Sequence, residues 1–130
     1  MAVEINELRI QDYDALDAMW RAMGADRPMP FGSANALEDF LAHNGGLSVV
    51  ARRDGNIVGA VLCRRDGNRG CINELAIEPS HRDSDLPRSL FDKAMRKLTS
   101  QGIHRLNIQL PDDSDEQAFW RTVVWSDRPQ

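Results

Sequence analysis

A chain of 130 residues fits one domain spanning residues 1–130, and it can bury a core without disulfides or a structural metal. Hydrophobic residues make up 42% and charged residues 28%, a globular composition, and the net charge of −4 argues against a nucleic-acid surface. No apolar run reaches the length of a membrane span and no signal-peptide pattern opens the chain, so the expectation is a cytoplasmic protein with neither nucleic-acid nor membrane partners.

The first predicted strand runs from Val3 to Arg9, where Val3 and Ile5 alternate with polar residues before Leu8. Tyr13, Leu16, Met19, Trp20 and Met23 then recur at spacings of three and four, the apolar face of a helix with Asp12 as N-cap and Gly24 as stop. Ala25 to Ser33 carries Pro28, Pro30 and Gly32 and reads as a loop. Together with the helices on either side of it, this loop brings Met23, Met29 and Phe31 to either line an apolar pocket or simply pack, and Asp26 and Arg27 are placed to meet a polar ligand. A second helix carries Leu37, Phe40 and Leu41 and ends at Asn44-Gly45-Gly46.

Three strands follow: Leu47–Arg52, Asn56–Arg64 and Cys71–Ile77. Asp54-Gly55 is a two-residue hairpin signal, and Asp66-Gly67-Asn68 makes the next turn. Cys63 and Cys71 lie in apolar strand contexts and read as reduced core thiols. Leu86, Leu90, Ala94 and Leu98 step by four along the next helix, flanked by Phe91 and Met95. Ile103–Leu110 alternates as a strand, Pro111 stops it, and the acidic run Asp112–Glu116 leads into a last helix from Gln117 to about Val123. This order predicts an α+β domain with a mostly antiparallel sheet flanked by helices. The single strand–helix–strand crossover is expected to be parallel and right-handed.

The stretch Asn73 to Leu98 organises the rest. A strand ending in a turn that opens a helix leaves a ring of backbone N–H groups, a ready anion site. No spacing of metal ligands and no nucleophile–His–acid set accompanies it.

The hairpin with IVGAV in its second strand, then LAIEP, HRDSDL, RLNIQL and AFWRTVVW in that order resemble the GNAT superfamily of N-acetyltransferases, small bacterial members above all. The resemblance covers nearly the whole chain and implies the GNAT-like (acyl-CoA N-acyltransferase) fold. It also implies acetyl-CoA as donor substrate, lying between the strands Cys71–Ile77 and Arg105–Leu110, and a small-molecule or peptide amine as acceptor. Carried over by position, it assigns coenzyme contacts to Leu75, Ala76 and Ile77 on the strand. In the turn and helix start it assigns them to Arg82, Asp83, Ser84, Asp85, Leu86, Pro87 and Arg88.

Family members read Arg-Gly-x-Gly-[Ile/Leu]-[Gly/Ala] in this turn. Here Asp83 and Asp85 replace the glycines and Pro87 the last small residue. Glycine permits close approach and unusual dihedrals, proline has no N–H, and a carboxylate beside a pyrophosphate costs about 1 kcal/mol in water-like surroundings. Arg82 and Arg88 are placed to offset part of that cost. A second possibility is that Ser84 or Asp85 caps the helix and the protein's own aspartates fill the site. The family's aromatic-Tyr-x-x-x-Gly-aromatic pattern matches Phe119 to Trp125, with Trp120 where a Tyr often protonates the departing thiolate and Val124 where Gly stands. An indole N–H is no acid near neutral pH, so Trp120 is expected to pack. Glu74 is the candidate general base, Glu78 the next, and His81 the histidine nearest the turn.

Family members continue into one or two further strands, whereas five residues follow Trp125 here. The C-terminal part of the sheet is therefore expected to be truncated, leaving Arg105–Leu110 as an edge that a homodimer would cover, with Trp120 and Trp125 at the interface. Together these departures predict an acetyltransferase with a degenerate active site and weak or no activity. The alternative is a non-catalytic binding or assembly module that keeps the fold.

Overall fold

A computed structural model describes residues 3–24 and 29–125 of the chain. Asp26 and Arg27 lie outside the described residues. In chain order the elements are β1 (Glu4–Glu7), α1 (Tyr13–Ala22), α2 (Ala34–His43), β2 (Val49–Arg53), β3 (Asn56–Asp66), β4 (Arg69–Ile77), α3 (Leu86–Ser100), β5 (Arg105–Ile108) and α4 (Ser114–Val124). Single 3-10 turns at Ile10–Asp12 and Pro79–His81 lead towards α1 and α3.

The described strands form one sheet in the order β1-β2-β3-β4-β5. The first four are antiparallel neighbours and β5 is parallel to β4. The expected crossover β4–α3–β5 is thus present. The Asp54-Gly55 hairpin turn also forms, with φ of 54° and 82° at its two residues. That pair of positive dihedrals matches the right-handed twist of the flanking strands.

The sheet is buried on both faces at its centre, where β3 is buried without interruption from Ile57 to Cys63. One face packs under α3 and α4 through Val61, Ile72, Leu75, Ile77, Leu90, Phe91 and Trp120. The other packs under α1 and α2 through Val50, Ala60, Leu62, Ala76, Leu16, Trp20 and Leu37. Gly59 permits close approach of α3: a Cβ there would meet Leu90 Cδ2 at 2.9 Å and Ile77 Cδ1 at 3.0 Å. Burial also raises the Cys63 thiol pKa to about 12, so it stays a protonated, free core group. Cys71 is free and only half-buried.

Several boundaries differ from expectation. β1 is shorter than Val3–Arg9, α4 begins at Ser114 rather than Gln117, and β5 ends at Ile108 rather than Leu110. Asp12 sits at the start of α1 but makes no cap hydrogen bond with its side chain. Its carboxylate accepts instead from Arg52 Nη1 at 2.5 Å, Arg52 Nη2 at 2.7 Å and the Arg9 backbone N–H at 2.8 Å. Arg52 also donates to Asn6 Oδ1 and the Glu7 carbonyl, so one guanidinium ties β1, β2 and the entry to α1. A charge-assisted bidentate pair outcompetes a neutral helix-end N–H for the same oxygens.

Burial pushes the Asp12 carboxyl upward, but the hydrogen bonds from Arg52 and Arg9 and their charges outweigh it and hold the group below its ordinary value of 3.8. A lowered carboxyl contributes stability that is present above its unfolded pKa and lost as pH falls through its folded one. Asp12→Asn is therefore expected to cost about 1–3 kcal/mol at pH 7. In urea titrations the gap between variant and parent should narrow as pH falls below about 4 and the carboxyl takes up a proton.

Candidate active site

The β4–β5 pairing is short. It runs from Arg69 opposite Arg105 to Ile72 opposite Ile108, with one further bond from the Gln109 N–H to the Ile72 carbonyl at 2.9 Å. Beyond that point the strands part. The β3–β4 register shifts where Leu62 faces Glu74 and Cys63 faces Ile72, so Asn73 is an extra residue on β4. A bulge of this kind bends and twists the strand that carries it. Pro111 removes a ladder N–H soon after β5 ends.

A cleft of about 430 Å³ opens in the resulting splay. Asn73, Glu74 and Leu75 of β4 line one wall, and Gln109, Leu110, Pro111 and Asp112 the other. Met23 at the end of α1, Arg82 of the turn, and Asp113, Asp115 and Glu116 at the start of α4 complete it. The cleft lies between the two strands that the resemblance assigns to the donor, but of the residues it assigns to the coenzyme only Leu75 and Arg82 line it, and Ala76, Ile77, Asp83, Ser84, Asp85, Leu86, Pro87 and Arg88 do not. Its lining holds five carboxylates, those of Glu74, Asp112, Asp113, Asp115 and Glu116, and one guanidinium, that of Arg82. The Asn73 Oδ1 atom is buried with no hydrogen-bond partner among the described residues.

Glu74 faces the cleft, on the sheet face that Ala76 shares with α1 and α2. Leu75 and Ile77 pack under α3, and their side chains serve the core. Glu78 and His81 do not line the cleft. Glu78 accepts from the Ser80 hydroxyl at 2.7 Å and the Ser80 N–H at 3.1 Å, which hold its carboxyl below the ordinary range. His81 lies 3.2 Å from Glu78 Oε2 and 3.3 Å from Arg53 Nη1.

In the turn, the Arg82 N–H donates to the Pro79 carbonyl, the Ser84 N–H to the His81 carbonyl, and the Leu86 N–H to the Ser84 hydroxyl. Pro87 is buried in the first turn of α3 and has no N–H to give. The N–H groups of Asp83 and Asp85 have no partner among the described residues, so two donors of the turn stay available to an anion. Ser84, rather than Asp85, supplies the side-chain oxygen at the helix start.

The Asp83 and Asp85 carboxylates are exposed and make no hydrogen bond or ion pair among the described residues. They therefore do not fill the anion site. Nor do their positions require glycine dihedrals, because Asp54 is the only non-glycine with positive φ among the described residues. The effect of these aspartates is their charge.

Neither arginine stands ready to offset it. Arg82 Nη2 donates to Glu116 Oε1, and its guanidinium lies 4.9 Å above the Phe119 ring. Arg88 pairs with Asp92 one helical turn on, at 3.7 Å. Glu116 is the participant that sequence reading missed. It was visible only as part of an acidic run, and its partner lies 34 residues away.

Trp120 is fully buried in the core beneath α4, edge-on to Phe119 at 5.2 Å, and it lines no part of the cleft. Its expected packing role holds, and that burial removes it from any interface between chains. Trp125 is 62% exposed. Phe31 is buried against Phe40, with ring centroids 5.1 Å apart, and Met29 packs in the same cluster. Of Met23, Met29 and Phe31, expected to line a pocket or pack, only Met23 lines the cleft. No three His, Cys, Asp or Glu side chains converge to hold a metal among the described residues. No helix there is long and apolar enough to cross a membrane.

The family model described as "Acetyltransferase (GNAT) family" matches residues 13–122. An acetyltransferase of Pectobacterium atrosepticum is 28% identical over 113 residues, 87% of this chain and 79% of its own. Among solved structures, Ard1 of Thermoplasma volcanium superposes with a TM-score of 0.78 at 14% identity, covering 96% of this chain and 82% of its own. The PaiA N-acetyltransferase of Thermoplasma acidophilum, in complex with coenzyme A, gives 0.77 at 17% identity, covering 94% of this chain and 88% of its own. At such identities the structural likenesses establish the fold.

Trp120→Ala is expected to lower the unfolding free energy by about 3–5 kcal/mol, the cost of emptying a large aromatic site in a core. Trp120→Tyr should leave acetyl-CoA affinity unchanged, because the side chain faces the core. Urea unfolding and calorimetric titration read the two effects separately.

Proposed function

The chain belongs to the GNAT acetyltransferase family, and on that premise we propose that it binds acetyl-CoA weakly in the β4–β5 cleft and acetylates a small-molecule or peptide amine slowly or not at all. The observation that carries the donor site is the parting of β4 and β5 beyond Ile72 and Ile108, beside a turn that keeps the Asp83 and Asp85 N–H groups open. The coenzyme A held by the Thermoplasma acidophilum relative supports the class of donor.

In this reading the pyrophosphate rests at the turn and the thioester lies along β4, whose backbone N–H groups polarise its carbonyl. The acceptor amine approaches from the α1 side, where Met23 and Glu74 line the cleft. Its nitrogen attacks the carbonyl carbon, the C–N bond forms, and the C–S bond breaks with the electron pair leaving on sulfur. Glu74 takes the amine proton, directly or through water. The thiolate draws its proton from solvent, since Trp120 offers none.

Weak binding follows from charge. The Asp83 and Asp85 carboxylates stand beside the pyrophosphate position, Pro87 withholds a donor, and Arg82 and Arg88 are held by Glu116 and Asp92. The same features favour the second reading, a non-catalytic binding or assembly module. Free Cys63 and Cys71 support a reducing, cytoplasmic setting. The edge position of β5 and the exposed Trp125 support a homodimer.

Calorimetric titration with acetyl-CoA is expected to give a dissociation constant weaker than about 10 µM, and sub-10 µM binding by the unmodified protein overturns the weakened-site reading. Because the turn's dihedrals are ordinary, Asp83→Asn with Asp85→Asn should tighten binding by at least about fivefold, and the glycine pair should do no better. Acetylation of an amine panel decides between the two readings: turnover by the asparagine variant supports the enzyme, and tight binding without turnover supports the module. Sedimentation at low micromolar concentration is expected to show a dimer, and a clean monomer rules it out.

A further inference from the structure

The Arg82 guanidinium is half-used. Its Nη2 atom donates to Glu116 Oε1, while its Nε atom is buried with no hydrogen-bond partner among the described residues. Nε and Nη2 share one edge of the guanidinium, the edge that grips a carboxylate or phosphate through two parallel bonds. Glu116 takes one of those bonds and leaves the other donor without an acceptor in a place water does not reach. Stacking on Phe119 at 4.9 Å holds the guanidinium beside the cleft that Arg82 and Glu116 line.

On the reading that the cleft takes acetyl-CoA, we propose that Glu116 sets the affinity of the site as an internal competitor for the coenzyme's phosphates. Its carboxylate occupies the guanidinium edge that a phosphate would grip through both Nε and Nη2, and coenzyme binding exchanges one anion for the other. The exchange involves side chains alone. The Glu116 backbone N–H stays bound to Asp113 Oδ1 at 3.0 Å, and Trp120 and Val123 keep α4 fixed in the core. A phosphate satisfies the buried Nε that Glu116 does not, so the exchange adds a hydrogen bond to Arg82 as it releases Glu116 towards the cleft.

Acetyl-CoA titration of Glu116→Gln tests this directly, with near-ultraviolet circular dichroism as the check on folding. Glutamine keeps the volume but releases the charge, so affinity should rise about tenfold, or about 1.4 kcal/mol. The gain should vanish when Arg82→Ala is added. Unchanged or weaker binding by Glu116→Gln, with measurable binding by the parent, overturns the competitor. So does a gain that persists without Arg82, since Glu116 then acts by general repulsion. No detectable binding at millimolar acetyl-CoA by the parent, by Glu116→Gln or by the asparagine turn variant removes the coenzyme reading itself, and the competitor with it. The unmodified protein gives a second reading independent of variant folding. In ¹⁵N spectra of the arginine Nε–H groups, the Arg82 signal, assigned by its loss in Arg82→Lys, should shift on titration with acetyl-CoA. A signal that stays in place at saturation overturns the exchange.

Discussion

The parting of β5 from β4 after Ile72 is the constraint on which the site depends. A parallel pair that continued to Ile77 would bury Asn73, Glu74 and Leu75 in a closed ladder and leave no cleft. Two local features prevent it. The extra residue Asn73 twists β4 where the pairing stops, and β5 runs only four residues before Gln109, Leu110 and Pro111 turn away. Beyond Ile72 the β4 strand keeps its β3 neighbour while its pairing with β5 ends. The same divergence that makes room for a molecule also lines that room with Asn73, Glu74 and Leu75 of β4.

The turn gains its place from packing rather than from its own sequence. Leu86, Leu90, Phe91 and Leu98 fix α3 against the sheet, and Gly59 allows Leu90 to approach closely. The turn before α3 is consequently held at the mouth of the cleft whatever residues it carries. This explains how Asp83 and Asp85 occupy positions associated with glycine without strain. Their dihedrals are ordinary, and their side chains point to solvent without partners among the described residues. The turn keeps its shape while its two aspartates add negative charge beside its open N–H groups.

Much of this was legible in the sequence because it rests on local pattern. Alternation marked the strands, Asp54-Gly55 fixed a hairpin, and the four-residue steps of Leu86, Leu90, Ala94 and Leu98 fixed the buried face of α3. The crossover followed from chain order and handedness, whereas the place of the cleft came from the resemblance to the acetyltransferase family. What was not legible depends on residues distant in sequence. Asp12 reads as an N-cap until Arg52, 40 residues on, claims its carboxylate. Arg82 reads as a free cation until α4 returns and sets Glu116 beside it. Backbone dihedrals in HRDSDLP were equally hidden, since aspartate is compatible with either helical hand in a turn.

The charge of the cleft and the stability of α4 have one origin. Asp113 caps α4 by accepting from the Asp115 and Glu116 N–H groups at 3.0 Å, and Asp115 and Glu116 lie in the first turn where the helix dipole favours carboxylates. An acidic start is thus what this helix prefers for its own reasons. Because Trp120 and Val123 anchor the helix in the core, that acidic turn is held at the mouth of the cleft. Neutralising Asp113 to ease an anion's entry would loosen the helix that forms one wall of the site. Neutralising Asp83 or Asp85 carries no such cost, because neither side chain makes a hydrogen bond among the described residues. Affinity for an anion can therefore be changed at the turn without disturbing the fold, whereas at α4 the two are coupled, with Glu116 in between: its backbone belongs to the helix and its side chain to the site.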